Sequence, residues 1–213
     1  MLEDDAEEIH ISEGECPDGR IHLADRPKVR IITAIGAGLE KVSLKSLPRL
    51  KEINFMGNRL HNLNALFNDL GTDELHEIDL MDNQVSDIRP LARFFGLRYL
   101  NLAGNKIESI DALSGFDPYS EPRLILEINQ ISDLRFLLRS DEERGPSQIK
   151  YLFLGGNPIT DFSPLLEMRE KWENLEEVGV DDSIPPGLKE KLEEAGVTVS
   201  VWGEEEDEDR PRD

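Results

Sequence analysis

The sequence predicts an α/β solenoid, in which short strands from successive repeats stack into one curved parallel sheet. Three observations carry this expectation. An eleven-residue pattern of aliphatic positions closed by an Asn recurs along the chain. The centre of each copy alternates with period two, as a strand does. The 213 residues are 38% hydrophobic but only 6% aromatic, so the core must be mostly aliphatic.

The first element is a cap. Residues 8–15, "EIHISEGE", and 19–25, "GRIHLAD", alternate around a Pro-Asp-Gly turn and read as a β-hairpin. Residues 1–28 are therefore expected to form an N-terminal cap that covers the first repeat.

The repeats follow. "LRYLNLAGNKI" at 97–107 is matched by "LKEINFMGNRL" at 50–60, "LHEIDLMDNQV" at 75–85 and "IKYLFLGGNPI" at 149–159. "EPRLILEINQI" at 121–131 lacks the first aliphatic residue but keeps Leu124, Leu126, Asn129 and Ile131. "VRIITAIGAGL" at 29–39 and "LEEVGVDDSIP" at 175–185 replace the Asn by Ala37 and Ser183. Seven units thus span 29–185. In "YLNLAG", Leu100 and Leu102 point to one side, and Tyr99, Asn101 and Ala103 to the other. One unit cannot bury its aliphatic side alone; stacking gives a continuous core.

The Asn positions, Asn58, Asn83, Asn105, Asn129 and Asn157, lie where the chain turns out of each strand. An amide carries two donor hydrogens and an acceptor, and it can bond the loop backbones of its own and adjacent units. A Leu there would leave buried polar groups unpaired, at about 1–3 kcal/mol for each. The five Asn residues are read as a structural ladder.

The pattern resembles the leucine-rich repeat family, LxxLxLxxNxL, over roughly residues 29–185. The second halves, "QVSDIRPLARF", "KIESIDALSGF", "QISDLRFLL" and "PITDFSPLL", look like the short-repeat class of internalins and of the nuclear regulatory subunit of protein phosphatase 1. The resemblance implies a right-handed curved stack, its parallel sheet on the concave face and short helical or 3₁₀ turns on the convex face. Asp87, Asp133 and Asp161 recur at one place in their units and are expected to cap those turns. Pro90 and Pro164 fit a first turn.

The chain closes with "PPGLKEKLEEAGVTVSVW", where Pro186 marks a helix start, Gly196 its end, and Val197, Val199 and Val201 a last strand. A helix-plus-strand cap is expected over 186–202, and a disordered acidic tail over 203–213.

Little points to chemistry. The four histidines, His10, His22, His61 and His76, form no HxxxH pair. Cys16 is the only cysteine, which excludes an internal disulfide; Glu13, Glu15 and Asp18 would raise its thiol pKa. No glycine-rich loop has the spacing of a phosphate cradle. No catalysis, metal or cofactor is expected. The net charge of −21 disfavours nucleic acid, and no apolar run approaches the roughly 20 residues of a membrane span. With one cysteine and no secretory leader in view, a monomer in the cytoplasm is expected, or in the nucleus if the source is eukaryotic.

Function must then rest on the outward strand positions. These fall into three columns across the units. The first runs Ile31, Glu52, Glu77, Tyr99, Arg123, Tyr151, Glu177. The second runs Thr33, Asn54, Asp79, Asn101, Ile125, Phe153, Gly179. The third runs Ile35, Met56, Met81, Ala103, Glu127, Gly155, Asp181. Tyr99, Arg123, Ile125, Tyr151 and Phe153 form a patch of hot-spot residue types, with Met56 and Met81 as adaptable apolar neighbours. Glu52, Glu77 and Asp79 form an acidic strip beside it. The expected function is a non-catalytic scaffold that binds a protein partner presenting a basic residue next to an apolar one. Two alternatives are a regulatory or inhibitory subunit of an enzyme such as a phosphatase, and a binder of basic proteins through acidic surface and tail.

Overall fold

The computed structural model describes residues 6–113, 121–138, 149–172 and 174–202. The acidic tail at 203–213, the charged run at 139–144 and the acidic residues at 3–5 lie outside them. The described residues contain eleven strands. Nine of them build one sheet, in the order β1 (Glu8–His10), β3 (Ile31–Thr33), β5 (Glu52–Asn54), β6 (Glu77–Asp79), β7 (Tyr99–Asn101), β8 (Arg123–Ile125), β9 (Tyr151–Phe153), β10 (Glu177–Val180) and β11 (Thr198–Val201). Every neighbouring pair is parallel. β2 (Arg20–Ala24) and β4 (Lys41–Lys45) make a second, two-stranded parallel sheet on the return side of the first coils.

The expected N-terminal hairpin is not what forms. β1 pairs with β3, placing Glu8 opposite Ile31 and His10 opposite Thr33, while β2 pairs with β4. The alternation correctly gave strands, but period two fixes a strand's faces and not its partner. Residues 11–19 separate the two runs, longer than the two to five residues usual in a hairpin loop. The Cys16 carbonyl accepts the Gly19 N–H at 2.8 Å, which turns the chain without folding β2 onto β1. Ile9 of β1 and Ile21 and Leu23 of β2 all enter one buried core, which requires the strands on opposite walls. The N-terminal residues are thus a further coil of the solenoid.

Along the sheet, the inward residues Ile32, Ile53, Ile78, Leu100, Leu124, Leu152 and Val178 are buried, and each lies in register with the next. The convex side carries α1 (Asn64–Phe67), 3₁₀ turns at Arg89–Arg93, Asp111–Leu113 and Arg135–Leu138, and α2 (Ser163–Trp172). The Asp87, Asp133 and Asp161 carboxylates accept the backbone N–H two residues on, from Arg89, Arg135 and Ser163, at 2.8–3.0 Å. Each bond satisfies a donor that the first turn leaves without a helical partner. α3 (Pro186–Glu194) precedes β11, and Gly196 between them has φ +84°.

The Asn residues link successive coils. The Asn105 Nδ2 donates to the carbonyls of Leu80 at 2.9 Å and Leu102 at 3.0 Å, and its Oδ1 accepts the Val85 N–H at 2.9 Å. Asn58, Asn83, Asn129 and Asn157 repeat this arrangement, and all five are buried.

Candidate protein-binding surface

The parallel register sets the three outward columns side by side, extended by Glu8 and His10 at one end and by Thr198 and Ser200 at the other. The face divides into two halves of different chemistry.

In the first half, Glu52 lies directly opposite Glu77 in register. Like charges placed so repel each other, and a cation set above them would relieve that repulsion. The His76 Nδ1 is 3.8 Å from the Glu77 carboxylate. Asp79 is half-buried, and burial pushes its carboxyl above the usual range. The Met81 and Asn101 hydrogen bonds oppose that shift and the Asp82 charge adds to it. Tyr99 is likewise half-buried, its phenol pushed up by burial and then by Asp79.

The second column holds a pattern that the sequence reading missed. Asn54, Asp79 and Asn101 each accept the N–H two residues on, from Met56, Met81 and Ala103, at 3.0–3.1 Å. Asn101 also donates to Asp79 at 3.3 Å. Positions read as free of structural duty are therefore employed in these three units. Asn101 and Ala103 are 6% and 4% exposed, which corrects the expectation that the outward letters of this repeat are open to a partner. Asp79 has a local role besides its charge, while Met56 and Met81 remain half-exposed.

In the second half this polar column gives way to Ile125 and Phe153. The Arg123 guanidinium lies over both aromatic rings, 4.7 Å from the Phe153 centroid and 5.5 Å from that of Tyr151. These are cation–π distances. The Tyr151 hydroxyl donates to Glu176 at 3.0 Å, which raises its pKa. Lys150 bridges Glu121 and Glu176 at 3.1 Å each and, with Tyr151, holds the Glu176 carboxyl low. This network fixes Tyr151 from the strand edge and leaves the rings facing the concave space.

Two residues outside the predicted set join this half. The Trp202 side chain lies against Gly155, where a Cβ would come within 2.4 Å of the indole Cγ; Phe153 leans over Gly179 in the same way, at 2.7 Å. Ile128 sits beside Gly156 on the rim. Trp202 falls one position past β11, so the repeat count did not include it. Ile128 carried a legible signal, since the residue before the ladder Asn is Gly57, Asp82, Gly104 or Gly156 in the sister units. Among the described residues, no group of three or more His, Cys, Asp or Glu side chains is placed to hold a metal. No described helix is long and apolar enough to cross a membrane.

Comparison with known proteins agrees with this architecture. The Leucine Rich Repeat family model matches residues 96–116, which contain the unit at 97–107. No curated protein is significantly similar to the chain in sequence. Among solved structures, internalin C2 of Listeria monocytogenes is 22% identical with a TM-score of 0.56, over 83% of this chain and 72% of its own. A leucine-rich repeat protein of Leptospira interrogans is 16% identical with a TM-score of 0.53, over 83% of this chain and 50% of its own. The leucine-rich repeat ectodomain of a plant membrane receptor kinase from Arabidopsis thaliana, in complex with Casparian strip integrity factor 2, gives 16% identity and a TM-score of 0.53. That alignment covers 84% of this chain and 23% of the ectodomain. At these identities the likeness concerns the fold, and the chain spans only part of each neighbour. The recurring pattern, the matched unit and the stacked parallel sheet together give this chain a leucine-rich repeat fold.

Proposed function

We propose that the chain is a non-catalytic scaffold that binds a protein partner on its concave sheet, centred on Arg123, Tyr151 and Phe153. The observation that carries this reading is the guanidinium stacked over two rings that the core does not need. Tyr and Arg are enriched where interfaces concentrate their energy, and a stacked Arg is held ready with little entropy left to lose. The opposed Glu52 and Glu77, with Asp79 beside them, supply an electrostatic complement for a basic residue on the same partner. Leucine-rich repeat folds commonly serve as protein-interaction scaffolds, and the plant ectodomain was solved bound to Casparian strip integrity factor 2. The test is affinity capture with the wild type and with Tyr151→Ala plus Phe153→Ala. A partner recovered by the wild type and lost by the double variant supports the site. Equal recovery by both sinks it.

A further inference from the structure

Two large apolar side chains stand on the rim where the strands turn away from the concave face. Ile128 is 51% exposed and Trp202 48%. They flank the pair Gly155 and Gly156. Trp202 covers Gly155, and a Cβ on Gly156 would come within 3.2 Å of the Ile128 Cα and Cγ1. The Ile128 N–H donates to the Gly155 carbonyl at 2.8 Å, which joins the two strand ends.

Ile128 also adopts φ +53°. Its counterparts Gly57, Gly104 and Gly156 take the same left-handed backbone freely, and Asp82 is a type that tolerates it. A β-branched residue there is an outlier. An exposed side chain on strained backbone does little for the fold, and such strain persists mainly where function keeps it. The surrounding rim is acidic. The Asp181 carboxylate accepts the Gly156 N–H at 2.7 Å, Glu127 precedes Ile128, and Asp182 is its counterpart in the last unit. Two units before Ile128, Asp82 leans over Gly104 of the intervening unit, where a Cβ would come within 2.2 Å of its Oδ1.

We propose that Ile128 and Trp202, across Gly155 and Gly156, form an apolar anchor site on the rim for a basic segment of a protein partner. One apolar side chain of that segment packs against the exposed sides of Ile128 and Trp202, which themselves cover the two glycines. Flanking Lys or Arg residues meet the rim carboxylates. This deepens the concave-face reading and rests on it: the same partner reaches from the Arg123 platform to the rim.

The experiment is selection of a random heptapeptide display library on the full chain, followed by affinity measurement on Ile128→Gly, Trp202→Ala and Tyr151→Ala plus Phe153→Ala. Enriched peptides should carry an apolar residue flanked by Lys or Arg, and should lose at least tenfold in affinity on both rim variants. The Tm of Ile128→Gly should equal or exceed that of the wild type, because the glycine relieves the left-handed strain. Acidic consensus peptides, a lower Tm for Ile128→Gly, or affinity indifferent to the rim variants each overturn the proposal. Peptides that respond to the ring variant alone leave the concave reading standing without the rim. No enrichment, or binding indifferent to all three variants, removes both.

Discussion

The Asn ladder makes an unequal prediction for chemically identical substitutions. Asn58, Asn105 and Asn157 are 7%, 8% and 6% exposed, so burial does not distinguish them. In Asn105→Ala, four backbone groups lose the amide, but three keep another donor. Leu80 O still accepts from Asn83 Nδ2 at 3.0 Å, Leu102 O from Asn129 Nδ2 at 2.9 Å, and Ala103 O from the Asp82 N–H at 2.8 Å. Only the Val85 N–H is stranded. In Asn157→Ala, Leu126 O keeps Asn129 Nδ2 at 3.1 Å. No Asn follows to serve Leu154 O, because Ser183 stands in that place, so Leu154 O and the Ile131 N–H are both stranded. Asn58→Ala strands Ala34 O and the Leu39 N–H for the mirrored reason, Ala37 standing in the preceding unit.

One stranded buried group costs about 1–3 kcal/mol. The end rungs should therefore cost about that much more than the central rung. At roughly 2–4 °C per kcal/mol for a chain of this size, the difference is readable in thermal melts of the three single variants. Because stacked repeats can open locally, amide exchange provides the second assay. Val85 should lose protection in Asn105→Ala, and Ile131 in Asn157→Ala. Equal destabilisation by the central and end variants would refute the relay of amides between coils as the basis of the ladder.

Other outcomes follow from single contacts. Asp87→Ala should cost about 1 kcal/mol at pH 7 through loss of its bond to the Arg89 N–H. The Arg89 guanidinium holds the Asp87 carboxyl at about 2; its folded pKa lies below the unfolded one, so its contribution is complete above the ordinary carboxylate range. The gap between variant and wild type should close as pH falls toward 2, as followed by denaturant midpoints. Gly104→Ala forces a Cβ into φ +67°, with Asp82 Oδ1 only 2.2 Å away. The left-handed backbone alone costs about 1–2 kcal/mol, and thermal melts should show the loss. Gly155→Ala should displace Trp202, whose Cβ and Cγ lie within 2.5 Å of the added carbon. The Trp202 indole N–H resonance should then move toward its solvent-exposed position with little change in Tm.

What the sequence disclosed, and what it withheld, divides along the logic of repetition. Stacking was legible because Leu97, Leu100, Leu102 and Asn105 recur with their counterparts at matching offsets, and one fold alone buries all of those positions. Pairing at the N-terminus was not, since β1 and β2 alternate equally well in a hairpin and in a coil; their partners depend on the distant strands β3 and β4. Outward positions were legible as a set but not in their duties. Asn54, Asp79 and Asn101 turned out to brace their own turns, and Ile125 and Phe153, at the same column, are where that bracing stops. A repeat supplies its own control in this way. The common residue at a position reports what the coil requires, and the departure from it marks where that requirement has been set aside. By that reasoning Ile128, set where its neighbours carry Gly or Asp and held at φ +53°, is the most informative departure in the chain. Its backbone cost is borne within one unit, while its exposed side chain lies beside Gly156, next to the Gly155 that the Trp202 indole covers.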